Sequence, residues 1–109
     1  MTELEIKKLS VADAIDIVHL SLTTPAQFEQ LAEECSELSK AALKYARILR
    51  GDNPTPVTTS KARADITEEA TDVLLCLRVC GVPNSPDVAL QKMQRWVERL
   101  NKENKIKEE

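Results

Sequence analysis

The stretch TPAQFEQLAEECSELSKAALKYARILRG, residues 24–51, decides the fold. Thr24-Pro25 reads as a cap followed by a proline in the first turn, where a missing N–H costs nothing. Gly51 stops the helix, and Arg47 and Arg50 complement the negative end of its dipole. Nothing between these signals breaks the helical period. Phe28, Leu31, Ala32, Cys35, Leu38, Ala42, Tyr45, Ala46 and Leu49 recur as one apolar stripe. A helix this long with one face to cover needs other helices beside it.

The flanking sequence supplies them. Upstream, Ser10 caps a segment to about Leu22, in which Val11, Ala14, Ile15, Val18 and Leu22 keep helical spacing. Downstream, the prolines of residues 51–58 exclude helix. A third helix starts between Thr59 and Asp65 and ends at Gly81. After the turn Val82-Pro83-Asn84, Ser85-Pro86-Asp87 repeats the cap-then-proline signature. The helix it opens runs through Leu100, with Ala89, Met93, Trp96, Val97 and Leu100 facing inward. From about residue 102 the chain reads as a charged, solvated tail. The expectation is one domain over residues 1–109, all-α, a four-helix-type bundle with short antiparallel connections.

Composition agrees. With 109 residues there is room for one domain and a modest core. Two glycines and three aromatics leave little material for an all-β fold. The net charge of −3 argues against a nucleic-acid partner, and no apolar run approaches the roughly 18 residues of a membrane span. The three cysteines, Cys35, Cys76 and Cys80, form no Cys-x-x-Cys pair, so they read as buried thiols in a reducing compartment. Met1-Thr-Glu-Leu-Glu lacks the pattern of a signal peptide, and the expected location is cytoplasmic.

The acids give the functional signal. At about 100° per residue, Glu34 lies about 60° from the centre of the apolar stripe and Glu37 about 120° on the same side, while Glu33 faces water. The third helix repeats this. Its core stripe is Ile66, Ala70, Val73, Leu77 and Cys80. Glu69 lies about 60° off it and Asp72 about 120°, while Glu68 points away. Two helices thus each carry an acid-x-x-acid pair beside the core. If those flanks meet, the charge needs a cation or protons to offset it. The alternative is two solvated acidic faces, each bridging to Lys or Arg. All-oxygen ligands suit magnesium or manganese. The only histidine, His19, has no Glu-x-x-His partner, which disfavours di-iron chemistry and leaves it a packing or surface residue. Magnesium on carboxylates works with phosphates. Basic groups for phosphates are available in Lys92, Arg95 and Arg99 of the last helix, and in Lys40, Lys44 and Arg47 of the long one. Gln27 and Gln30 share the flank of Glu34 and are candidates for sugar or base contact.

Glu33-Glu34-Cys35-Ser36-Glu37-Leu38 followed by Glu68-Glu69-Ala70-Thr71-Asp72-Val73-Leu74 resembles the acidic motifs of the MazG-like, all-α nucleoside triphosphate pyrophosphohydrolases. The resemblance covers roughly residues 27–99. It implies that Glu34, Glu37, Glu69 and Asp72 bind magnesium, with Glu33 positioning a ligand or the attacking water. It implies cleavage of a nucleoside triphosphate between the α- and β-phosphates, giving the monophosphate and pyrophosphate. Lys92, Arg95 or Arg99 then stabilises the departing charge, with Gln30 and Lys44 as further substrate contacts. The chain departs from the family at Thr71, where many relatives have glycine, and at Trp96, where some have asparagine.

Leu75 and Val79 lie roughly opposite the core stripe of their helix. A helix apolar on two sides is buried on two sides, so a homodimer or homotetramer is expected. Base specificity is expected in the loop from Gly51 to Thr59, in the first helix or across the subunit contact. Two other classes fit the same residues: a nucleotide sensor without turnover, and a small helical interaction or regulatory module. A DNA-binding helix-turn-helix fits less well, because of the acidic balance and the long helices.

Overall fold

The computed structural model describes residues 1–52 and 57–107. Among these residues the chain forms five helices and no strand. They are α1 (Glu3–Lys7), α2 (Val11–Ser21), α3 (Thr24–Arg50), α4 (Thr59–Val79) and α5 (Pro86–Lys102). Among the described residues no helix is long and apolar enough to cross a membrane. Half of the proposed specificity loop, residues 53–56, lies outside the described residues, as do residues 108–109 of the tail.

Each long helix starts on a hydroxyl that satisfies an otherwise orphaned N–H. Ser10 accepts from Asp13, Thr58 from Lys61 and Ser85 from Val88. For α3 the cap is Thr23, which accepts from the Ala26 N–H at 3.3 Å, and Thr24 is already helical. The sequence expectation is thus off by one residue, because two adjacent threonines compete for one role. Gly51 ends α3 at φ 71°, in the left-handed region that glycine enters without cost. α1 is an addition: five residues held by a Thr2–Glu5 capping box.

α3 and α4 pack along their length, and α2 lies against α4. Two contacts fix the directions of α3 and α4. The Cys80 thiol at the end of α4 meets the Gln27 carbonyl at the start of α3 (3.4 Å), and the Arg63 guanidinium near the start of α4 lies 6.0 Å from the Tyr45 ring near the end of α3. The pair is therefore antiparallel, as expected. At its closed end, the His19 Nδ1–H of α2 donates to the Val79 carbonyl (2.6 Å). The Gln27 amide donates to the carbonyls of His19 (2.8 Å) and Leu22 (3.1 Å). This polar lock joins the ends of three helices, and it makes His19 structural. It also corrects the reading of Gln27: the side chain is 4% exposed and committed to backbone, so it is not a sugar or base contact.

Three further expectations change. The α3 row that α4 covers is Gln27, Leu31, Glu34, Leu38, Ala41, Tyr45 and Ile48. It is rotated about 90° from the apolar row Phe28, Ala32, Cys35, Ala42 and Leu49, which stays exposed. The apolar arc of α3 is wider than one neighbour can cover, and α4 takes its acidic edge. Second, Leu75 and Val79 line an apolar cleft of about 270 Å³ with Val11, Ala14, Ile15 and Val18 of α2. α2 of the same chain therefore faces them across this cleft, with Leu75 still 36% exposed. Third, α5 makes no comparable packing contact. Ala89, Met93, Trp96 and Val97 are exposed and Leu100 is half-buried, so the described chain does not close a four-helix bundle. Amphipathic spacing says that a face needs cover, not which element covers it.

Candidate metal centre

The rotation of α3 puts Glu34 inside the seam with α4 rather than on its flank. Glu69 and Asp72, one turn apart on α4, face it. Each of the three offers a carboxylate oxygen within 4.8 Å of the others, and all three are half-buried. Glu34 is further fixed by the Gln30 amide, which donates to its Oε1 at 2.8 Å.

Like charges held this close, partly out of water, disfavour ionisation. The Glu69 carboxyl accordingly sits above its ordinary value, pushed first by desolvation in the seam and then by Asp72, Glu34, Glu37 and Glu68. The same field reaches Cys76, one turn beyond Asp72. Burial, then Glu34, Cys80, Asp72 and Cys35, push its thiol up. It stays protonated and is a poor nucleophile. The sequence reading placed no cysteine at the acids, although Cys76 follows Asp72 by four residues and so shares its face.

The remaining site candidates are scattered. Glu37 lies outside the triad and pairs with Lys40 at 3.4 Å. Glu33 faces solvent, as its wheel position predicts. Lys44 is half-buried ten residues from Glu34, roughly 15 Å along α3. Lys92, Arg95 and Arg99 form an open basic groove of about 390 Å³ with Glu98 and Lys102, all on α5. Among the described residues none of them pairs with the triad. Thr71 donates its hydroxyl to the Thr67 carbonyl at 2.7 Å, so it is absorbed into its own helix.

The donor set suits a hard divalent cation. Around magnesium, opposite ligand oxygens lie about 4.2 Å apart, since each bond is about 2.1 Å. Three carboxylates spread over at most 4.8 Å reach that geometry by small side-chain shifts. Among the described residues no histidine nitrogen or cysteine sulfur joins them, which disfavours zinc. Comparison with protein-family models, curated proteins and solved structures gave no match.

Proposed function

We propose that the chain is a magnesium-dependent nucleoside triphosphate pyrophosphohydrolase. One observation carries the reading: carboxylates from two acidic motifs, 35 residues apart in sequence at Glu34 and Glu69, meet in one half-buried cluster. Two solvated acidic faces, the alternative, do not predict that meeting. The resemblance to the MazG-like family rests on those motifs.

Glu34, Glu69 and Asp72 would hold the metal. Glu37, one turn from Glu34, joins them by a change of rotamer that gives up Lys40. When bound, magnesium would polarise the phosphoryl group and lower the pKa of water. Gln30 keeps Glu34 oriented. Glu33, on the solvent side of the motif, positions an incoming water. Lys44, Lys92, Arg95 and Arg99 are the cations available to the triphosphate, and those on α5 must approach the triad for that role. The assembly is a homodimer or homotetramer.

The test is pyrophosphate release from a panel of canonical and modified nucleoside triphosphates, with and without magnesium. Turnover that needs magnesium and drops at least about 100-fold in Glu69→Gln and Asp72→Asn, as for removal of an electrostatic stabiliser, supports the reading. Binding of nucleotide with magnesium but no release at any concentration moves the protein to the sensor class. Neither binding nor release sinks both.

A further inference from the structure

The acid triad is split between two helices, so its geometry depends on how α3 is slid along and turned against α4. A slip of one residue moves a side chain about 1.5 Å along the axis and about 100° around it. Either displacement breaks up carboxylate oxygens that lie within 4.8 Å of one another. The apolar part of the seam does little to prevent a slip. Leu31, Leu38 and Ala41 of α3, like Ala62, Ile66 and Val73 of α4, are aliphatic. Burial of such surface has no preferred direction. At the end near Arg63, that guanidinium reaches the Tyr45 ring at 6.0 Å, the outer limit of such a contact.

The directional contacts gather at the closed end, where α2, α3 and α4 are tied in a triangle. The Gln27 amide of α3 donates to the carbonyls of His19 (2.8 Å) and Leu22 (3.1 Å), at the end of α2. The His19 Nδ1–H of α2 donates to the Val79 carbonyl of α4 (2.6 Å). The Cys80 thiol, at the end of α4, donates to the Gln27 carbonyl (3.4 Å). Gln27 thus takes part in two of the three sides, and it is the one buried polar residue among the described residues. It lies on the row of Glu34, seven residues or roughly 10 Å before it. Cys80 lies within about 20° of the row of Glu69 on α4. Over two or three turns a helix passes on a shift almost unchanged, so what is fixed at this end is fixed at the triad.

We propose that Gln27 is a positioning residue of the metal centre: by closing the triangle it sets the register in which Glu34 meets Glu69 and Asp72. This role, which rests on the metal reading above, is additional to the hydrogen bonds that Gln27 contributes to the fold. A buried polar group that fixes helix register in an otherwise permissive apolar seam has precedent in coiled coils.

The test is manganese titration of the full chain, followed by loss of the free-ion electron paramagnetic resonance signal. Gln27→Met keeps the length of the side chain and removes both donors. It is expected to weaken manganese at least about tenfold with helix content unchanged, as for loss of a group that supports a metal ligand. Thr58→Ala removes the cap of α4 near the other end of the seam, and so lowers stability without touching the triangle. It is expected to bind manganese as the parent does. His19→Phe keeps a ring and removes the side between α2 and α4; it is expected to weaken manganese as well, and decides the matter should Gln27→Met not fold. A parent chain that binds no manganese takes down the metal reading and the positioning role together. A parent that binds, with the folded variant binding equally well, overturns the positioning role alone. An equal loss in Thr58→Ala overturns it too, since affinity then follows stability rather than register.

Discussion

Glu69 couples the site to stability. Its folded carboxyl holds a proton to higher pH than the ordinary 4.5, because the seam desolvates it beside Asp72 and Glu34. Well below that value both states are protonated and the residue is neutral in its effect. As pH climbs from about 4.5 through the raised folded value, the unfolded chain releases its proton first, and stability falls. Above both values the loss persists. Magnesium-free protein is therefore expected to lose urea resistance across this window, and Glu69→Gln is expected to flatten the decline and raise the midpoint at neutral pH. Equal slopes in both proteins count against a converged triad. Gln30 is a gentler probe. Its amide orients Glu34, and such supporting partners cost about 10–100-fold in metal affinity when removed. Gln30→Ala, followed by calorimetry with magnesium, is expected to fall in that range with the helix content unchanged. These acids were legible as candidates from their spacing. Their burial was not, because a wheel centred on apolar residues put Glu34 and Glu69 at the edge of the seam that they occupy.

At the scale of elements, local chemistry decided most of what was read correctly. Caps, prolines and glycines act within a turn or two, so the four long helices follow from nearby residues. The exception at Thr23 and Thr24 is itself testable. Thr23→Ala is expected to cost about 1 kcal/mol, the usual value of a cap, and Thr24→Ala much less. Thermal or urea melts of the pair distinguish them; the reverse order would restore Thr24 as the cap. Gln27 shows what spacing hides. One amide closes the α2–α3 junction on two carbonyls, and replacing it by Leu leaves both without that partner in a part-buried place. A loss of about 1–3 kcal/mol is expected in urea unfolding. No periodicity marks this residue, since its partners are backbone carbonyls five and eight residues upstream, at the end of α2 and its C-cap.

For the whole molecule, stability and association are one quantity in the homo-oligomer proposed above. The unfolding midpoint is then expected to rise with chain concentration, the apparent stability gaining about 1.4 kcal/mol per mole of dimer for each tenfold increase. A concentration-independent melt by circular dichroism would leave the chain a monomer. The sequence by itself determined the all-α class, the extents of the long helices, the acidic motifs and the absence of a membrane-spanning helix. These depend on period, capping and composition, which are local. Only the tertiary structure decided that α4 covers the acidic edge of α3 and that three carboxylates meet there. It alone showed that α2 takes Leu75 and Val79, and that α5 leaves its apolar face bare. The reason is geometric. A helix with a wide apolar arc offers several docking angles of similar burial, and which one is taken depends on neighbours distant in sequence.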